Sequence, residues 1–147
     1  METTTERREV KKIIIHTSAS AFGNAALIDS WHREKGWDSI GYHKVILNGR
    51  LENSKDYDET IDGHVETGRS DETVGAHCYG QNKDSVGICL VGEPYSYTTK
   101  QYVILIQLIS AYQLKYEGAN VFFHSEFNKD KPKCPGIKAV DILTALA

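Results

Sequence analysis

The sequence predicts an α/β protein with a single domain, in which a mixed central β-sheet is flanked by helices. Short apolar runs typical of buried strands alternate along the chain with longer segments of helical spacing. The 147 residues show no internal repeat, low-complexity tract or linker, and 40% of them are hydrophobic and 25% charged. The net charge of −3 does not indicate a nucleic-acid partner.

The first strand and the first helix have clear boundaries in the sequence. Residues 11–15 include an apolar run typical of a strand buried on both faces, and His16 follows at its end. Asn24 is a suitable N-cap for a helix over residues 25–35, and Gly36 ends that helix. A strand followed by a helix fits the α/β class.

A hairpin is predicted next. Residues 41–47 read as a strand, and Asn48-Gly49 is a strong signal for a tight turn, so residues 50–52 are expected to return beside it. Residues 53–62 are polar and acidic and predict an exposed loop, and residues 63–67 predict a further short strand.

The second half contains the clearest helix. Residues 85–91 predict a central strand, and residues 98–117 predict a helix capped by Thr98 or Thr99 and stopped by Gly118. Its apolar stripe has helical spacing and consists of Tyr102, Leu105, Ile106, Ile109, Tyr112 and Tyr116. Residues 119–123 predict a last strand, and a final helix is expected from about Val140.

The ends and the cysteines give expectations about compartment. Residues 1–10 are interpreted as a polar tail and residues 11–147 as the folded domain. The N-terminus lacks the apolar stretch of a secretory signal, and no apolar run reaches the roughly 18 residues of a membrane span, so we expect a cytoplasmic protein without a membrane partner. Three cysteines make a poor disulfide framework.

A metal site is the chemical hypothesis that the residues favour. His16 and His124 each follow a predicted strand, and Cys134 lies ten positions beyond His124. Two imidazoles and a thiolate suit Zn²⁺ and leave a fourth position open for water. Spacing alone also allows structural histidines, or a Cys–His nucleophilic hydrolase that uses Cys134. A copper site is disfavoured because the only methionine, the usual axial ligand, is Met1.

Several motifs together carry a family resemblance. In chain order they are IIHTSA (14–19), WHREKGW (31–37), IGYH (40–43), VETGR (65–69), VGAH (74–77), Asn82, SVGICLVG (85–92), HSE (124–126) and CPG (134–136). The sequence resembles the type-2 N-acetylmuramoyl-L-alanine amidases, which include peptidoglycan recognition proteins and amidase-type phage lysozymes. The likeness is greatest to the lysozymes of short-tailed coliphages and covers nearly the whole chain.

The resemblance implies a fold, a reaction and a site. It implies one Zn²⁺ held by His16, His124 and Cys134 in an open groove, and hydrolysis of the amide between N-acetylmuramic acid and L-alanine in peptidoglycan. Tyr42 matches a catalytic tyrosine. The catalytic lysine of the phage enzymes falls on Pro132 here, and of its two neighbours we favour Lys131 over Lys133.

The same resemblance, together with the positions of the histidines on predicted elements, gives further expectations. His77 and Asn82 are expected to contact substrate, and a structural hydrogen bond is the alternative for His77. His43 is expected to be structural, because it would point opposite Tyr42 on a strand, and His32 is expected to lie at the surface of its helix. The role implied is that of a monomeric phage endolysin made in the host cytoplasm and released by a holin-like pore. Binding to phage RNA polymerase through the N-terminal segment is a second implied partnership. A non-catalytic peptidoglycan-binding module is the alternative, which the presence of Cys134 disfavours.

Overall fold

The computed structural model describes residues 8–52 and 56–146. Within these residues, five strands and three α-helices form the domain. They are β1 (Lys12–Thr17), α1 (Ala25–Glu34), β2 (Lys44–Ile46), β3 (Val65–Thr67), β4 (Ser85–Leu90), α2 (Thr99–Lys115), β5 (Asn120–Phe123) and α3 (Ala139–Leu146).

The sheet has the strand order β3-β2-β4-β1-β5. β1 pairs in parallel with both β4 and β5, β2 pairs in parallel with β4, and β3 alone runs antiparallel to its neighbour β2. The predicted α/β class with a mixed sheet is therefore confirmed. Four parallel strands place their carboxyl ends at the same edge, and this edge receives the candidate site residues.

Apolar layers cover both faces of the sheet. On one face, α2 packs Leu105 and Tyr112 against Ile13 and Ile15 of β1. On the other face, Ile28 of α1 belongs to a second cluster with strand residues and their extensions. Ile13, Ile14 and Ile15 are fully buried, which explains why the sequence of β1 is apolar without alternation.

Side-chain caps fix the helices at their predicted starts. Asn24 Oδ1 accepts a hydrogen bond from the Leu27 amide at 2.8 Å at the start of α1. At α2 the cap is Thr98, whose hydroxyl accepts from the Gln101 amide while Gln101 Oε1 accepts from the Thr98 amide, a reciprocal capping box.

The predicted hairpin at Asn48-Gly49 is wrong. The antiparallel partner of β2 is β3, and residues 50–52 make no strand; only Arg50 forms a single bridge, to Tyr57. Gly49 does have a positive φ of 89°, but a side chain there would also meet the Tyr57 ring at 2.7 Å. The glycine therefore accommodates a wider loop, of which residues 53–55 lie outside the described part.

The packed part of the chain begins no later than Arg8. Its guanidinium donates to the carbonyls of Asp71 at 2.7 Å and Ser85 at 2.8 Å, and Val10 is buried in the core. Residues 1–7, through which the polymerase partner was expected to bind, lie outside the described residues. Among the described helices, none has the length and apolar character needed to cross a membrane.

Candidate metal centre

Strand pairing brings two distant histidines together. His16 is the fifth residue of β1, and His124 directly follows β5 at the start of a short 3₁₀ turn, His124–Glu126. Because β1 and β5 are parallel neighbours, both histidines lie at the carboxyl edge of the sheet, with ring centroids 4.5 Å apart. The Glu126 carboxylate accepts from the Phe123 amide at 2.6 Å and fixes the turn.

Backbone contacts fold Cys134 onto this edge. The Cys134 carbonyl accepts from the Ser125 amide at 3.0 Å, and its Sγ accepts from the Thr17 amide at 3.4 Å. One ligand atom from each of His16, His124 and Cys134 lies within 4.8 Å of the other two. Within the described residues these three form the group of side chains that could hold a metal ion.

The chemistry of this donor set fits a zinc ion. Burial, reinforced by the charges of His77 and His124, holds the pKa of His16 well below its usual value, so its imidazole is neutral. Burial and then the Lys131 charge lower the pKa of His124. Burial raises the pKa of the Cys134 thiol, against the Thr17 hydrogen bond and the Lys131 charge, and a bound cation would favour the thiolate.

A cavity of about 220 Å³ opens onto this group. It is lined by Thr17, Ser18, Ala19, Ile28, Trp31, His32, Lys35, Tyr42, His124, Lys131 and Cys134. Two cations and several aromatic rings therefore surround the metal-ligand candidates. The cavity is of the right kind to hold a polar substrate group beside them.

Tyr42 lines the cavity next to His16. The two ring centroids are 5.0 Å apart. Burial, followed by the neighbouring cysteines, raises the pKa of Tyr42 well above its usual value. The phenol is thus a neutral O–H donor at physiological pH.

The structure separates the two candidate lysines. Lys131 lines the cavity, and its charge lowers the pKa of both His124 and Cys134. Both lysines are exposed, but Lys133 does not contribute to the cavity lining. Of the pair beside Pro132, Lys131 is the one that lies beside the candidate ligands.

His77 and Asn82 do not lie where substrate contact was expected. His77 is 7% exposed and hydrogen-bonds to His16, and neither it nor Asn82 lines the cavity. Asn82 instead accepts hydrogen bonds through Oδ1 from the amides of His77 and Cys78. Both side chains therefore support the protein framework behind His16.

The expectation that His32 lies at the surface is wrong. Its ring is 7% exposed, lines the cavity, and accepts a hydrogen bond through Nδ1 from the Gly41 amide at 2.9 Å. The signal was present in the sequence, since His32 follows Ile28 by one helical turn and belongs to the same face. His43 is fully buried and accepts from the Gly87 amide, as its structural interpretation predicts.

Comparison with known proteins identifies the family. Residues 6–137 match the family described as N-acetylmuramoyl-L-alanine amidase. The chain is 33% identical over 132 residues to the endolysin of Klebsiella phage KP32, covering 83% of this chain and 79% of that protein. It is 34% identical over 131 residues to the endolysin of Escherichia phage T7, covering 82% and 78%.

Solved structures share the fold. The N-acetylmuramoyl-L-alanine amidase LysC from Clostridium intestinale superposes with a TM-score of 0.73 at 24% identity, covering 94% of this chain and 85% of that one. Bumblebee PGRP-SA gives a TM-score of 0.68 at 26% identity, covering 88% and 77%. The chain belongs to the N-acetylmuramoyl-L-alanine amidase family. It is an amidase that acts on bacterial peptidoglycan.

Proposed function

We propose that this amidase is a zinc-dependent phage endolysin whose metal is held by His16, His124 and Cys134. The observation that carries the proposal is the convergence of these three side chains, with ligand atoms within 4.8 Å of one another, beside a cavity. His16 lies 108 positions before His124, so local structure alone does not account for its meeting with His124 and Cys134. Neutral imidazoles and a cysteine sulfur form a donor set typical of zinc.

Zinc bound here would acidify a water molecule and polarise the scissile carbonyl. The cavity beside the ligands receives that carbonyl. Tyr42 is a neutral donor on the same wall, and it would hydrogen-bond to the oxygen that gains negative charge. Lys131 supplies a positive charge to the same oxygen.

The endolysin role is supported by the relatives. The phage proteins at 33% and 34% identity are endolysins, and the match extends over more than three quarters of each. Production in the host cytoplasm, release by a holin-like pore and a monomeric state remain predictions from the resemblance. Binding to phage RNA polymerase is likewise a prediction, which a pull-down with the cognate polymerase would test.

Metal analysis combined with wall lysis tests the proposal. We expect about one zinc per chain in the wild type, and the appearance of free L-alanine α-amino groups when purified walls are digested. Cys134→Ala should lose both zinc and lysis. Cys78→Ala is the matched control, because Cys78 is also a buried free cysteine but lies outside the ligand group. It should retain both properties.

The same experiment distinguishes the alternatives. Wall lysis that survives full chelation would contradict zinc dependence and favour a thiol nucleophile. Retained wall binding with no amide cleavage by the zinc-loaded wild type would instead indicate a binding module.

A further inference from the structure

His77 lies directly behind His16. His16 Nε2 and His77 Nδ1 are 2.8 Å apart, and the two rings meet edge to face at an interplanar angle of 89°. Both rings are almost completely buried, with 1% and 7% of their surfaces exposed. Since Nε2 of His16 is used in this contact, Nδ1 is its nitrogen available to a metal ion.

Two glycines make room for the His77 ring. A Cβ at Gly87, in the middle of β4, would lie 2.6 Å from the ring, and a Cβ at Gly75 would lie 2.7 Å from it. Glycine within a strand lowers stability, and it is retained where another group must approach the backbone closely. The Asn82 amide oxygen also accepts from the His77 backbone amide at 2.9 Å. The central strand is thus shaped around this imidazole.

The second nitrogen of His77 also has a partner. His77 Nε2 lies 3.2 Å from the hydroxyl of Ser85, which is fully buried at the start of β4. The chain of contacts therefore runs from His16 through His77 to Ser85.

The positions of the ring protons determine which group donates in each of these hydrogen bonds. If His77 carries its proton on Nε2 and donates to Ser85, its Nδ1 accepts the Nε2 proton of His16. His16 Nδ1 then has a free lone pair for a metal. If His77 instead donates from Nδ1 to His16 Nε2, the proton of neutral His16 lies on Nδ1, and this nitrogen can no longer bind a metal. Metal-binding histidines commonly donate their other N–H to a fixed acceptor, usually a carboxylate or a carbonyl.

We propose that His77, seated on Gly87 and oriented by Ser85, is a positioning residue that fixes the tautomer and orientation of His16 for metal binding. A neutral imidazole replaces the usual carboxylate or carbonyl acceptor. The inference rests on the proposed zinc site. It assigns to His77 a role behind the metal ligand rather than contact with substrate.

A matched pair of substitutions tests this role. In His77→Asn, the amide oxygen occupies the position of Nδ1 and can accept the His16 proton. His77→Leu has nearly the same shape as the asparagine variant but offers no acceptor. We expect His77→Leu to weaken zinc affinity by about 10- to 100-fold, whereas His77→Asn should stay within about threefold of the wild type. Zinc affinity is measured by competition with a chromophoric chelator.

A second variant keeps the ring in place. Ser85→Ala removes the acceptor for His77 Nε2 and should raise the population of the other His77 tautomer while weakening zinc binding several-fold. Nitrogen-15 NMR of the imidazoles reports the tautomer directly. In the zinc-loaded wild type we expect His77 to be protonated on Nε2. The Ser85 variant also provides the test if His77→Leu does not fold.

The outcomes separate this inference from the proposed function. A purely space-filling role for His77 would give the asparagine and leucine variants equal zinc affinities. That result, or a His77 protonated on Nδ1 in the zinc-loaded wild type, overturns the inference while the zinc site stands. A wild type that binds no zinc removes both.

Discussion

At the scale of single residues, Lys131 and Lys133 provide a sharp test of the catalytic arrangement. They flank Pro132 and have the same chemistry, but only Lys131 lines the cavity and shifts the pKa of His124. We expect Lys131→Met to lower kcat by about tenfold or more through loss of positive charge at the developing oxyanion. Lys133→Met should leave kcat unchanged.

Steady-state turnover of a soluble muramoyl peptide measures both variants, and zinc content is determined in parallel. Both proteins should retain zinc, because neither lysine is a ligand. Equal losses of turnover in the two variants would show that the cavity-lining position of Lys131 has no catalytic meaning.

Single residues also show which features of the site could be predicted from the sequence and which could not. The three ligand candidates were identifiable because they stand in motifs that carry the family resemblance, whereas their spacing alone also allowed structural histidines. The buried position of His77 was not identifiable, because it depends on contacts with β4 that no local pattern indicates, whereas the position of His32 one helical turn after Ile28 did indicate a buried face. For His77 these contacts are made with Gly87 and Ser85.

At the scale of secondary-structure elements, the start of α2 is an independent test of local stability. The Thr98 hydroxyl accepts from the Gln101 amide and donates to Asp62 at 2.7 Å, so one side chain caps the helix and ties it to the loop before β3. Thr98→Ala should lower the free energy of unfolding by about 1–2 kcal/mol. Urea denaturation of the two proteins measures the difference.

Thr99→Ala is the control, since Thr99 is exposed in the first turn and no hydrogen bond of its hydroxyl is described. It should change stability by less than about 0.5 kcal/mol. If the two variants lose the same stability, the capping box does not hold this end of α2.

Helices and buried strands were predictable at this scale, whereas the loop after β2 was not. Capping residues and apolar periodicity are local signals, and they located α1, α2, β1 and β4 within a few residues. Asn48-Gly49 indicates only a positive φ, which both a tight hairpin and a wide loop can use. The packing of Tyr57 against Gly49 is specific to the wide loop, and no local sequence pattern predicts it.

At the scale of the whole molecule, parallel pairing builds the candidate site. His16 and His124 are 108 positions apart and meet because β1 and β5 are neighbours that run in the same direction. The sequence predicted that strands precede both histidines, but strand order depends on how the helices cover the two faces. The site is therefore a property of the complete sheet.

Burial of histidines also makes the stability of the whole molecule depend on pH. Five of the six histidines have lowered pKa values. Burial, followed by the charges of Lys35 and Arg69, lowers the pKa of His32 to about 4. Burial lowers the pKa of His77 to about 3. In the unfolded chain, a histidine titrates near pH 6.5.

The difference between the native and unfolded pKa values determines how stability changes with pH. Above about pH 6.5, these histidines are neutral in both the native and the unfolded state, so their protonation does not reduce the free energy of unfolding. As the pH falls below that value, these histidines bind protons in the unfolded chain but not in the native state, so the free energy of unfolding decreases. For His32 and His77, the loss continues until the native side chains are protonated near pH 3–4. Metal-free protein should therefore be markedly less stable to urea at pH 5 than at pH 7.5.

His32→Asn isolates one contribution to this loss. The asparagine oxygen can still accept from the Gly41 amide, but the titrating ring is gone. The variant should lose about 2 kcal/mol less stability than the wild type between pH 7.5 and pH 5. Urea denaturation of metal-free protein at both pH values measures the difference, and His64→Asn, at an exposed histidine, is the control. A His32→Asn variant that loses as much stability as the wild type would show that His32 is not protonated on unfolding in this range.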